Sequence, residues 1–154
     1  YPMYRGIASV VGMDTPETDW DVDVELDLLQ QRWRADASED FYYVHVKKTD
    51  SAGEDGDFDK KVHLLEEVDA RIPRILELEP DVLIVTGDHS TPAVMGSHSW
   101  HPVPTVIASD RSIPLPGAQL TERSCTAGTL GQIPSSSLMA LALAHAGRLA
   151  KFGA

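Results

Sequence analysis

Asp50, Glu54, Asp55, Asp57 and Asp59 place five carboxylates within ten residues. Packed so closely they repel one another, and either bound cations or solvent must offset the cost. A solvated acidic turn accounts for the cluster equally well. An EF-hand calcium loop does not, because counting from Asp50 the position that demands glycine is Asp55. A second group, Gly87-Asp88-His89-Ser90-Thr91-Pro92, offers an adjacent carboxylate and imidazole, a pairing suited to Mn²⁺, Zn²⁺ or Fe²⁺. Its plain alternative is an aspartate that caps the next turn beside a structurally hydrogen-bonded histidine. In the third group, His98-Ser99-Trp100-His101-Pro102-Val103-Pro104, two histidines three residues apart could both ligate a metal. Alternatively one ligates while the other contacts substrate or a ligating carboxylate, or both are ordinary surface residues. His45 reads as a core residue or one that supports a ligand, His63 as solvated and His145 as core, and Cys125 has no second cysteine to pair with.

The elements that must position these groups follow from hydropathy spacing. Ile7, Val10 and Val11, and then Val22, Leu26, Leu29 and Trp33 after Thr18-Asp19, recur at helical intervals. The run FYYVHV at 41–46 is aromatic and β-branched and predicts a strand packed on both faces. The polar KKTDSAGEDGDFD that follows predicts a loop. Val62, Leu65, Val68, Ile72 and Leu76 form an apolar helical stripe that Pro73 should kink. Val82–Val85 predicts a buried strand, Thr105–Ala108 a third, and Ser135–Ser137 possible caps for a closing helix in LMALALAHAGRLAKF. Strand, helix, strand with a right-handed crossover would make the first two strands parallel and bring the loops after Val46 and Thr86 to one sheet edge. Open α/β sheets carry their sites on that edge. Convergence of three Asp-, Glu- and His-bearing loops there favours a metal site over three independent structural explanations.

Composition sets the bounds. The 154 residues, 42% hydrophobic, suffice for one domain or part of one. A formal charge of −11 opposes nucleic acid and anionic membranes. No apolar run approaches a membrane span, and YPMYRG lacks the apolar stretch of a signal peptide. The lone cysteine fits a reducing cytoplasm. Opening on Tyr1 rather than Met suggests a cut or processed chain.

The segments YPMYRGIASVVGMD, HVKKTDSAGEDGDFDKK, VTGDHSTP, HSWHPVP and the tail KFGA, in that order, resemble the archaeal-type, cofactor-independent phosphoglycerate mutases of the alkaline phosphatase superfamily. The resemblance spans nearly the whole chain, and GDHSTP followed by HSWHPVP is its most specific part. It implies an α/β fold, the C-terminal part of an alkaline-phosphatase-like core with a mostly parallel sheet flanked by helices. It implies two divalent cations, Mn or Mg first, with Zn or Co as alternatives, and no added 2,3-bisphosphoglycerate. By motif, Asp50 and His98 are expected on one metal, and Asp88 and His89 on the other. Glu54 stands where most relatives carry His, and a carboxylate there still suits Mn²⁺ or Mg²⁺. His101, at a position usually Asn or Asp, is expected to contact substrate, and Arg5 and Lys47 to contact its anion.

In such enzymes a serine accepts the phosphoryl group, and the group returns to the other hydroxyl of the glycerate. No serine here matches that nucleophile motif. The resemblance therefore implies that residues 1–154 are the metal-binding C-terminal portion of a glycolytic and gluconeogenic enzyme of the cytoplasm. The N-terminal half and inserted domain would be supplied from outside this stretch. Alone, the stretch is expected to be inactive and, with sheet edge and apolar surface uncovered, to self-associate. A related phosphatase or phosphomutase, or a catalytically silent metal-binding module, are the rival readings.

Overall fold

Asp21 is the N-cap of a helix of 13 residues. Its carboxylate accepts from the backbone N–H of Asp23 at 2.9 Å and of Val24 at 3.4 Å, donors that have no partner inside a first turn. Asp23 and Glu25 in that turn, and Arg32 and Arg34 in the last, complement the helix dipole. The computed structural model describes residues 2–35 and 38–151. The last three residues of the KFGA motif, which include the expected end of the closing helix, lie outside them.

The chain divides into two compact units, Tyr1–Leu78 with Pro92–Ser97, and Glu79–Thr91 with His98–Ala154. The first is helical: α1 (Pro2–Val10), α2 (Val22–Arg34), α3 (Lys48–Glu54), α4 (Phe58–Asp69) and α5 (Ile72–Leu76). Leu26 and Leu29 of α2 meet Leu78 in its core, with Val22, Trp33, Tyr42 and Ile75 packed around them. A polar clasp also ties α2 to α5. Arg71 donates from Nε and Nη2 to the two oxygens of Asp23 at 2.7 and 2.6 Å, and Arg74 reaches Asp23, Asp27 and Gln30. The Arg71 hydrogen bond, foremost, holds the Asp23 carboxyl below its ordinary range, and the same bond raises Arg71. Pro73 interrupts the expected long helix: α4 stops at Asp69 and α5 restarts with the proline in its first turn.

Two expectations for this unit are corrected. Residues 47–59 are not a continuous loop, because Lys48–Glu54 is helical. It closes with Gly56 at φ +70°, the Gly56 N–H donating to Gly53 O and the Asp57 N–H to Ala52 O at 3.1 and 3.0 Å. Those are the bonds that end a helix in the Schellman manner, and Asp57 then caps α4 by accepting from Lys60 N at 3.0 Å. Residues 41–46 form no strand. Their aromatic rings pack locally instead, Tyr42 on Trp33 at 5.1 Å and His45 on Tyr4 at 4.1 Å.

The second unit holds β1 (Leu83–Val85) and β2 (Val106–Ala108), then α6 (Glu122–Thr126), a 3₁₀ turn at Ser135–Ser137 and α7 (Leu138–His145). The strands pair antiparallel, Leu83 opposite Ala108 and Val85 opposite Val106. The parallel pair expected of 41–46 and Val82–Val85 is absent among the described residues because 41–46 forms no strand, so the loop after Val46 does not leave a sheet edge, although the mixture of helices and sheet is the expected α/β class. The chain between β1 and β2 contains no helix, and without a helical crossover a returning strand pairs antiparallel. Ser137 occupies the N-cap position of α7 without a side-chain capping bond. That helix ends earlier than its apolar run, where Gly147 at φ +71° lets Arg148 N donate to Leu143 O at 2.8 Å. No described helix is long and apolar enough to cross a membrane.

Candidate metal centre

In the second unit the chain leaves β1 through Thr86, whose hydroxyl lies 2.7 Å from that of Thr105. Gly87 comes next, at a point where a Cβ would stand 3.3 Å from Val103 Cγ1. The small residue lets the segment run close to the one entering β2. Asp88 and His89 follow. Asp88 Oδ1 accepts from the His89 N–H at 3.0 Å, and its Oδ2 lies 3.4 Å from His89 Nε2. One residue further, Ser99 N donates to Ser90 O at 2.9 Å in an isolated antiparallel bridge. That bridge sets His98 beside His89, their ring centroids 3.9 Å apart. Inside this one unit Asp88 thus lies against His89, and His98 stands beside His89 from nine positions away in sequence. Imidazole nitrogens beside a carboxylate oxygen are donors of the kind that suit Mn²⁺, Zn²⁺ or Fe²⁺.

The first unit sorts the acidic cluster. Asp57 is spent as the cap of α4, Asp55 lies 3.7 Å from the Lys60 ammonium, and Asp59 sits in the first turn of α4 where its charge favours the dipole. Asp50 and Glu54 belong to the preceding helix. Both are on α3 and one turn apart, so their side chains are neighbours on one helix face. Asp50 is ion-paired with Lys47, the two side chains only 12% and 19% exposed. Pro92–Ser97 packs on the end of this helix: Cβ atoms at Gly56 and Gly96 would lie 3.5 Å from Ala93 O and Glu54 O.

The expected substrate contacts are engaged within the chain. Arg5 donates to Thr15 O at 3.0 Å and lies 3.6 Å from Glu17, and Lys47 is held by Asp50. His101 Nδ1 is 2.8 Å from Ser99 Oγ, and its ring stacks on Trp100 at 5.0 Å. Of the other histidines, His63 lies 3.4 Å from Glu67 on the surface of α4, and His145 Nδ1 is 2.8 Å from Ser109 Oγ. Cys125 Sγ lies 3.8 Å from Thr105 O. Sequence reasoning gave no part to Thr91. It is the buried polar residue of the loop, 4% exposed, with Oγ1 3.1 Å from His89 Nδ1.

Comparison with known proteins gives this geometry a context. A "Probable 2,3-bisphosphoglycerate-independent phosphoglycerate mutase" of Thermotoga neapolitana is 55% identical over all of this chain, and one of Aquifex aeolicus 48%. The chain spans 38% and 37% of the lengths of those two relatives. The solved structure of PH0037 protein from Pyrococcus horikoshii superposes with a TM-score of 0.81 at 31% identity, covering 97% of this chain and 47% of that one. The model of the metalloenzyme superfamily matches residues 17–145, a stretch that contains both acidic α3 positions and the Asp88, His89 and His98 cluster. The chain belongs to the metalloenzyme superfamily.

Proposed function

We propose that this chain supplies the metal-binding portion of a 2,3-bisphosphoglycerate-independent phosphoglycerate mutase, which interconverts 3-phosphoglycerate and 2-phosphoglycerate. The observation that carries the reading is the pairing of His89 and His98, with Asp88 beside His89, on a chain about half identical to relatives of that name. The residues that would hold the enzyme's two divalent cations are Asp50, Glu54, Asp88, His89 and His98. Mn²⁺ or Mg²⁺ suits the carboxylate-rich set best. Such a pair of ions neutralises phosphoryl oxygens and lowers the pKa of a hydroxyl nucleophile. His101, Arg5 and Lys47 contact the phosphoglycerate, Arg5 and Lys47 after exchanging their present carboxylate and carbonyl partners. The nucleophilic serine and the remaining ligand belong to the N-terminal half of the same enzyme. The setting is glycolysis and gluconeogenesis in the cytoplasm.

The test is turnover of 3-phosphoglycerate by the protein as the cell makes it, with Mn²⁺ and without 2,3-bisphosphoglycerate, beside phosphate release from simple phosphate esters. Isomerisation without free phosphate is the expected result. Phosphate release without isomerisation would replace the mutase with a phosphatase. Tight Mn²⁺ binding with neither activity would leave a silent metal-binding module.

A further inference from the structure

We infer that Thr91 is a positioning residue that fixes the ring and tautomer of His89 for metal binding through Nε2; this rests on the metal reading above. The two ring nitrogens of His89 have different surroundings. Nε2 lies 3.4 Å from Asp88 Oδ2, on the side of the ring that carries the neighbouring carboxylate. Nδ1 faces the Thr91 hydroxyl at 3.1 Å. An imidazole that ligates through Nε2 must keep its proton on Nδ1, and that N–H needs an acceptor that does not compete for the ion. Thr91 Oγ1 is such an acceptor. It is well held, because the residue is 4% exposed and a β-branched side chain has a restricted χ1. The bridge from Ser99 N to Ser90 O, between His89 and Thr91 in sequence, fixes the backbone that carries both. Without the hydroxyl, Nδ1–H would lose its acceptor and the Nε2–H tautomer, which cannot ligate at that atom, would compete.

The experiment is calorimetric titration of Mn²⁺ into the full chain, its Thr91→Val variant, which keeps the shape without the hydroxyl, and its Thr91→Ser variant, which keeps the hydroxyl. Loss of a hydrogen-bond partner behind a ligand costs about 10–100-fold in metal affinity, so Thr91→Val should weaken binding by that factor and Thr91→Ser should largely restore it. On the Zn²⁺-loaded chain, nitrogen-15 spectra should place the His89 proton on Nδ1, slow to exchange with water. Equal Mn²⁺ affinity of wild type and Thr91→Val, or a proton on Nδ1 that exchanges at the rate of a free imidazole, overturns the role of Thr91 alone. Absence of Mn²⁺ binding by the wild type overturns the metal reading itself. Should Thr91→Val fail to fold, as judged by circular dichroism, the Zn²⁺-loaded wild-type spectrum still decides.

Discussion

Replacing Leu26 with alanine tests whether the α2 face against Leu78 holds the first unit together. Leu26 is 2% exposed and sits between Leu29, Leu78 and the half-buried Val22, Trp33, Tyr42 and Ile75. The change deletes three carbons from a site already out of water, and at about 0.8 kcal/mol per carbon the transfer loss is roughly 2.4 kcal/mol. A cavity left unfilled adds to this, and buried leucine-to-alanine changes cost about 2–5 kcal/mol. Four of the neighbours are only partly buried and free to move inward, which places the expected loss toward the lower end, about 2.5–3.5 kcal/mol. Urea unfolding followed by circular dichroism reads it as a lower midpoint with little change in slope. Val94→Ala is the matched control, since Val94 is 95% exposed and such a site should shift stability by no more than about 0.5 kcal/mol. A Leu26→Ala loss under about 1 kcal/mol, or one equal to that of Val94→Ala, would refute the assignment of this cluster as the stabilising core.

The Asp23 clasp makes a pH prediction. Its carboxyl titrates below the ordinary 3.8, chiefly through the Arg71 hydrogen bond, so its contribution is complete above that value and fades as pH falls through the lower, folded value. Asp23→Asn should therefore lower the melting temperature at neutral pH and flatten its decline below about pH 4; an unchanged acid limb would remove Asp23 from the account. At Gly147, φ is +71° and a Cβ would stand 2.7 Å from Arg111 Nη2, so Gly147→Ala should cost about 1–2 kcal/mol and displace Arg111 from His145 O, which it meets at 2.6 Å. A melting curve that matches the wild type would contradict this. Val10, Val94, Trp100 and Ile113 are each more than four-fifths exposed, and uncovered apolar side chains favour association; size-exclusion chromatography at increasing concentration should show oligomers, and a monomer throughout would count against it.

The interruption at Pro73 was legible in the residue order because its cause, a missing N–H, is local. The cap of α2 is Asp21 rather than the expected Thr18-Asp19, and Asp57, expected in an acidic loop, caps α4. The helix α3 was hidden by polar composition, although Gly56 followed by Asp57 is the stop and restart signal that could have revealed it. The strand expected at 41–46 failed for another reason. Aromatic and β-branched residues favour extended chain, but a strand exists only when a partner accepts its hydrogen bonds, and the described residues provide none at this segment.

The same division runs through the candidate site. The identities Asp50, Glu54, Asp88, His89 and His98, and the metal chemistry open to them, were set by sequence alone, because ligand preference is a property of the side chain. Tertiary structure decided which of those groups meet. It set His98 beside His89 through the Ser90–Ser99 bridge, gave Asp55 and Asp57 to an ion pair and a cap, engaged Arg5 and Lys47 with internal partners, and put the Thr91 hydroxyl behind His89. Spacing along a chain reports neighbours within a turn or a strand, whereas approach between loops depends on where the backbone hydrogen bonds close, and only the folded chain contains that information.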